Sequence, residues 1–248
     1  MNDVFRTVHD GVLTLTFNRP SRLNAVDEQM YAQLADWIHA AAHDPLIAVV
    51  LITGGPKCFT AGNDLSDLRM HPVQCLDAPL FRLMAAVTAL DKPLIAAVCG
   101  PAIGIGATLL LHCDQVFVSR SACLQMPFVA LGLCPEFGSS LLLARRIGQV
   151  RAARLLLCNE RISAEQAVDW ALANELHEDA DACLDAARHM AVRLKDLPQQ
   201  ALRLSKRLIK EGCQAELAAA MLREGQCLIE QLQGSEAKAA LGVSKLPA

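Results

Sequence analysis

Hydrophobic and polar positions alternate twice near the start of the chain, over Val4 to Val8 and over Val12 to Phe17, around a His9-Asp10-Gly11 turn. Period-two alternation interrupted by a turn predicts a hairpin with one buried face. A polar loop follows from Asn18 to Asn24, carrying Arg19, Pro20 and Arg22. The period then changes. Met30, Leu34, Trp37, Ile38 and Ala41 recur at helical spacing, which predicts a helix capped by Asp27 and running to about His43, with Pro45 beyond its end. Leu46 to Ile52 and Leu94 to Val98 are continuous apolar runs, the pattern of strands covered on both faces. Gln115 to Ser119 reads as a further strand, and helices are expected from about Asp77 to Leu90 and from Gly104 to His112. Strands alternating with helices argue for an α/β fold.

Beyond Pro135 the pattern is almost wholly helical, in segments near 136–147, 149–157, 163–172, 179–194, 198–210 and 213–232. Ser163, three residues before Gln166, forms a capping-box signature. Leu217, Met221, Leu228 and Leu232 share one stripe of the last segment, and the tail from Gly234 is small and polar, expected to fray or to lie on a partner. The division that results is a core over residues 1–190 and a helical C-terminal region over 191–248. No internal repeat of fixed period stands out.

Composition supports this picture. Of the 248 residues 53% are hydrophobic and only 4% aromatic, so aliphatic side chains must fill a substantial core. The formal charge of -3 carries no basic block, which disfavours nucleic acid as a partner. Lys206, Arg207 and Lys210 are the nearest approach to a basic cluster, and read as a solvated helix face or as contacts to an anionic ligand. Ten scattered cysteines form no C-x-x-C pair and no metal-ligand spacing. The opening MNDVFRTVHDG lacks the basic and apolar segments of a secretory signal, and no apolar run reaches membrane-spanning length. A cytoplasmic protein, with no membrane partner, is the expectation.

Two glycine-rich stretches carry the candidate chemistry. Gly54 to Leu65 leaves a buried strand and holds three glycines, so its backbone can turn tightly and approach a ligand. It has neither the order of a phosphate-binding P-loop nor G-x-G-x-x-G. Gly100 to Leu109 follows a second strand and opens a helix, where free N–H groups face an approaching oxygen. Read on their residues alone, both remain open to a purely structural role in turning and close packing.

Taken in order, Asn18-Arg19-Pro20 through Asn24-Ala25, Phe59-Thr60-Ala61-Gly62-Asn63-Asp64-Leu65, Gly100-Pro101-Ala102-Ile103-Gly104, Cys113-Asp114 and Leu131-Gly132-Leu133-Cys134-Pro135-Glu136 span nearly the whole chain. Together they resemble the enoyl-CoA hydratase/isomerase family, also called the crotonase superfamily. The resemblance implies a spiral of β-β-α units, a helical C-terminal layer for trimerisation and active-site cover, and assembly as homotrimers or dimers of trimers. It implies an acyl-CoA thioester substrate, with coenzyme A a part of that substrate and no separate cofactor or metal. The thioester oxygen would be held by the backbone N–H groups of Asn63 and Ile105. Such donors, aimed where charge develops, can contribute about 3–4 kcal/mol each to transition-state stabilisation. Coenzyme A contacts are implied for Arg22 and Ala25, for backbone near Ala61 and Asp64, and for Lys206 and Arg207. Arg22 suits a phosphate because a guanidinium presents several donors.

The family's hydratases use two glutamates, and at the matching positions this sequence has Thr108 and Phe128. Phenylalanine transfers no proton and an unassisted threonine is a poor base. The segment Leu133 to Ser140 instead resembles the Δ3,Δ2-enoyl-CoA isomerase branch, in which one glutamate follows such a proline. That resemblance makes Glu136 the expected proton shuttle from carbon 2 to carbon 4 of a 3-enoyl thioester. Without it, Pro135 and Glu136 read as a favourable helix start. Hydration, another crotonase-type reaction and a non-catalytic acyl-CoA-binding paralogue are the alternatives. An apolar wall from Phe128, Leu133 or Phe137 would raise the proton affinity of Glu136.

Overall fold

The computed structural model describes residues 3–242. The hairpin is β1 (Val4–His9) paired antiparallel with β2 (Val12–Phe17). Helix α1 (Glu28–His43) begins where expected, because the Asp27 carboxylate accepts the Met30 N–H at 2.9 Å. Strand β3 (Val49–Thr53) starts later than its apolar run, and Leu46 stands in solvent. Helices α2 (Leu65–Met70) and α3 (Pro79–Ala89) lead to β4 (Leu94–Val98), β5 (Pro101–Ile103) and the single turn α4 (Ile105–Thr108). The expected helix to His112 is finished by a 3-10 turn over Leu109–His112. Strands β6 (Gln115–Ser119) and β7 (Cys123–Gln125) complete this half.

The second half is helical with two interruptions. Helices α5 (Ser139–Ile147) and α6 (Gln149–Leu156) precede the short strand β8 (Ile162–Ser163), and α7 (Ala164–Asp169) precedes β9 (Glu175–His177). The Ser163–Gln166 capping box is formed in both directions. Helices α8 (Ala180–Lys195), α9 (Gln199–Glu211), α10 (Gln214–Leu232) and α11 (Ser235–Ala240) follow. The almost wholly helical reading beyond Pro135 is therefore corrected by β8 and β9. The tail expected to fray instead forms α11, with Ala237 fully buried, and its end at 243–248 lies outside the described residues.

The strands make two sheets, a six-stranded one in the order β1-β2-β3-β4-β6-β9 and a three-stranded one in the order β5-β7-β8. From β2 to β9 the larger sheet is parallel. Its central strands β3 and β4 are apolar at every position but Thr53 because both faces are covered. Val50, Ile52, Ala96, Val98, Val116 and Val118 face the main core with α1 and α3. Val49, Leu51, Ile95, Ala97 and Phe117 face a second core closed by Cys183, Ala187 and Ala191 of α8. Small residues on that helix allow it to lie close to the sheet. This is the mixed α/β architecture of the crotonase spiral, and it places the loops after β3 and β4 side by side at the carboxyl ends of neighbouring parallel strands.

Candidate functional site

The two glycine loops are in backbone contact. Gly62 has φ +85°, and a Cβ there would stand 2.7 Å from the Ile103 carbonyl oxygen. Gly104 has φ +55° and ψ -120°, a conformation open essentially to glycine, and a Cβ on it would lie 3.9 Å from Gly62 Cα. Hydrogen bonds join the loops, with Phe59 and Thr60 N–H donating to Pro101 O at 3.0 and 3.1 Å, and Ile103 N–H to Thr60 O at 2.9 Å. Thr60 fastens the first loop further, its hydroxyl donating to Asn24 O at 2.6 Å and accepting the Gly62 N–H at 3.0 Å.

This ladder fixes where the Asn63 N–H points. Val26 donates to Gly62 O at 2.8 Å and accepts from Asp64 N–H at 2.9 Å, so Asn63 turns its own N–H away from Val26. Ile105 begins α4, in which Ala107 and Thr108 N–H fold back onto Gly104 O at 2.9 and 3.0 Å. Among the described residues neither the Asn63 nor the Ile105 N–H has an acceptor in the protein. Two backbone donors in adjoining loops, without internal partners, form an oxyanion-hole-like pair.

Glu136 lies just beyond α4. Thr108 Oγ donates to its Oε1 at 2.6 Å, and the same hydroxyl is 3.4 Å from Ile105 O. Oε2 is buried with no hydrogen-bond partner. Glu136 is 2% exposed, and that burial pushes its pKa up to about 8, opposed by the Thr108 bond and assisted by the charge of Glu224. Leu133, Phe128 and Phe137 are all buried as well. Glu136 does not stand in the first turn of a helix. It precedes α5 in a turn closed by Ser139 N–H to Glu136 O at 3.1 Å, because Phe137 (φ +63°) and Gly138 (φ +72°) are both left-handed and delay the helix to Ser139.

Tyr31 of α1 was not singled out by its sequence, where it is one apolar position among several. Its hydroxyl donates to Asn63 Oδ1, and burial and the nearby charge of Glu136 raise its pKa well above the ordinary phenol range. Tyr31 also borders a cleft of about 410 Å³ with Asn63, Asp64, Asp67, Leu68 and Leu80. Asp67 lines this cleft while accepting the Glu28 N–H at 2.9 Å. Asn24, whose side chain donates to Gly54 O and Cys58 O at 2.7 and 2.8 Å, ties the polar loop to the first glycine loop.

The residues expected to touch coenzyme A divide into two places. Arg22, Ala25, Ala61 and Asp64 are gathered beside the first glycine loop, with Ala61 N–H donating to Leu23 O at 2.9 Å. Arg22 is exposed. The Asp64 carboxylate is already engaged. It caps α2 through Ser66 and pairs with Arg19 at 2.7 Å, and these bonds outweigh burial to hold its pKa near 2. Lys206 and Arg207 sit on α9. Lys206 does not belong to a solvated face: its ammonium is buried, bonded to Asp114 and to Lys92 O at 2.6 Å each. Both partners precede β4 and β6, at the amino ends of the parallel strands, opposite the carboxyl ends that carry the glycine loops and about 16 Å away for a five-residue strand. The expectation that Lys206 reaches an anionic ligand is corrected on that ground. Arg207 beside it is exposed.

Comparison with known proteins agrees with this geometry. A family model described as enoyl-CoA hydratase/isomerase matches residues 7–243. The 1,2-epoxyphenylacetyl-CoA isomerase of Escherichia coli (strain K12) is 40% identical over 206 residues, 78% of each chain. The 2,3-dehydroadipyl-CoA hydratase of the same organism is 33% identical, covering 91% of this chain and 89% of its own. The solved structure of OdaA from Pseudomonas aeruginosa superposes with a TM-score of 0.96 at 45% identity, covering 98% of both chains. Paired glycine loops with two unpartnered N–H groups thus occur in a chain matched along almost its full length, and the protein belongs to the enoyl-CoA hydratase/isomerase family of acyl-CoA enzymes.

Proposed function

We propose that the protein isomerises 3-enoyl-CoA to trans-2-enoyl-CoA with Glu136 as its single proton shuttle. The Glu136 carboxylate takes a proton from carbon 2, and the electron pair moves into the thioester, placing negative charge on its oxygen. The N–H groups of Asn63 and Ile105 hold that oxygen as the charge develops. The carboxylic acid so formed gives its proton to carbon 4, and the double bond is left between carbons 2 and 3. One group serves both steps because each transfer leaves it in the form the other requires.

The observation that carries this reading is the buried Glu136 carboxyl, one oxygen on Thr108 and the other unpartnered, next to the helix that Ile105 opens. A pKa near 8 keeps both forms accessible around neutral pH, as a group acting first as base and then as acid needs. The relatives' names, one an isomerase and one a hydratase, support the broader reading of a crotonase-type acyl-CoA reaction better than this particular shift. Against two-carboxylate hydration stand Thr108, occupied with Glu136, and the buried ring of Phe128.

Purified protein mixed separately with 3-enoyl-CoA and 2-enoyl-CoA, with products identified, tests the choice. Formation of 2-enoyl-CoA that Glu136→Gln removes, with thioester binding kept, is the expected result. A 3-hydroxyacyl product would replace isomerisation by hydration, and binding without turnover of either thioester would leave a non-catalytic paralogue. Arg22, Ala25, Arg207 and the backbone near Ala61 and Asp64 remain proposed coenzyme A contacts. We read region 191–248 as the assembly and cover segment of a homotrimer or dimer of trimers. Leu204, Leu208 and Ile209 of α9, at 51%, 59% and 81% exposure, support that reading. Sedimentation at several concentrations checks it.

A further inference from the structure

The turn that carries Glu136 is held from three sides. Thr108 reaches the carboxyl itself. His112, fully buried and stacked on Phe137 with ring centroids 4.0 Å apart, bonds through Nε2 to Phe137 O at 2.7 Å. A carbonyl only accepts, so Nε2 carries the proton, and burial keeps the imidazole neutral by lowering its pKa to about 3. The third contact comes from far along the chain. Glu224 of α10, itself buried, accepts the Gly138 N–H at 2.6 Å, the Ser140 N–H at 3.0 Å and the Ser140 hydroxyl at 2.5 Å.

These bonds bear on a strained piece of backbone. Phe137 is a bulky residue in the left-handed region, a strained conformation that persists only where its surroundings enforce it. Gly138 follows in the same region, so the Gly138 and Ser140 N–H groups converge on one carboxylate. α10 itself is held close, since a Cβ on the neighbouring Gly225 would come within 2.8 Å of the Leu76 side chain and 3.1 Å of Phe81. Such a carboxylate is an expensive way to build a helix start, because it is buried and lies near a second carboxyl.

We propose that Glu224 is a positioning residue for Glu136: from the C-terminal helix it ties down the strained 136–140 turn and so sets where the Glu136 carboxyl stands. The proposal rests on Glu136 being the working carboxyl. It also supplies an electrostatic consequence. The groups facing Glu136 are Thr108 of α4, Tyr31 of α1, Cys134 of its own segment and Glu224 of α10. Of these only Thr108 favours the ionised form of Glu136, whereas the Glu224 charge opposes it. Docking of α10 therefore couples the C-terminal region to the base through both geometry and charge.

The test uses the full chain as wild type, Glu224→Gln and Glu224→Ala, with ¹³C-labelled glutamate carboxyls and Glu136 assigned by its loss in Glu136→Gln. Glu224→Gln keeps an acceptor oxygen without the charge, and guards against a failure of the alanine variant to fold. The Glu136 titration midpoint is expected to fall in Glu224→Gln. In Glu224→Ala, amide exchange at Gly138 and Ser140 should also quicken by roughly tenfold or more. For thioester turnover, kcat should drop with KM held. An unmoved Glu136 titration together with unchanged Gly138 and Ser140 exchange overturns the proposal, whatever happens to overall stability. A shifted titration in a protein that turns over no 3-enoyl-CoA supports the positioning role and rejects the isomerase reading instead.

Discussion

Replacing Glu136 with glutamine should make the protein more stable at alkaline pH and not at acid pH. In the unfolded chain this carboxyl loses its proton near 4.5, whereas in the fold it does so only near 8. Between those values the native state binds a proton that the unfolded state has released, so native stability falls as pH rises through the window. At ~1.4 kcal/mol per pH unit, the full interval amounts to roughly 5 kcal/mol, reached above pH 8. The carboxyl is fully enclosed, so solvent screening does little to reduce this. Glutamine keeps the oxygen that accepts from Thr108 and never ionises. Its amide puts two N–H donors where Oε2 has no partner, against one O–H in the protonated acid, at a cost of about 1 kcal/mol. Urea denaturation of both proteins at fixed concentration from pH 4 to 9.5 reads the effect, because His112 is common to both curves and the repulsion between Glu224 and ionised Glu136, part of the same effect, exists only in the wild type. The variant should be slightly weaker at pH 4, cross near pH 5–6 and lead by several kcal/mol at pH 9. A difference that stays flat from pH 5 to pH 9 would refute the account of Glu136 as a desolvated acid.

Three further substitutions probe the site. Thr108→Val removes the hydrogen bond that favours ionised Glu136, so the acid limb of the pH–rate profile should move up by about one to two pH units, and an unmoved limb would show the bond to be idle. Gly62→Ala forces a Cβ against Ile103 O at φ +85° and must shift the Asn63 N–H; kcat should fall roughly 10²–10³-fold, whereas wild-type turnover would exclude Asn63 as a donor. Lys206→Met removes the ammonium from Asp114, which is exposed and keeps the Leu94 N–H, and should cost about 1–2 kcal/mol in denaturation while coenzyme A affinity stays unchanged. Weaker coenzyme A binding at unchanged stability would return Lys206 to the binding residues.

Elements long enough to show a period could be read from the chain. The hairpin, α1 with its Asp27 cap, the three buried parallel strands and the Ser163–Gln166 box all have local causes written in adjacent residues. Strands β5, β7, β8 and β9 have two or three residues each, too few for alternation to register, and exist because β5, β7 and β8 pair with one another and β9 pairs with β6 at the edge of the larger sheet. The two donor loops were recognisable from ordered motifs and not from glycine spacing alone. Glu136 stood out in the same motifs as a proposed site residue, yet its turn was not legible, because the contacts around the left-handed Phe137, from His112 to Phe137 O and from Gly138 N–H to Glu224, come from elsewhere in the fold. Lys206 misled for a similar reason. A lysine on an amphipathic helix looks solvated until Asp114 and the Lys92 carbonyl are placed beneath it.

The central claim is that Glu136 moves a carbon-bound proton while Asn63 and Ile105 hold the thioester oxygen. Transfer of label from carbon 2 of 2,2-dideuterated 3-enoyl-CoA to carbon 4 of the product, followed by mass spectrometry, tests it most directly. Wild-type protein should carry deuterium to carbon 4, and Glu136→Gln should lose this transfer by at least ~10²-fold while still binding the thioester. Equal transfer in the two proteins would contradict the account.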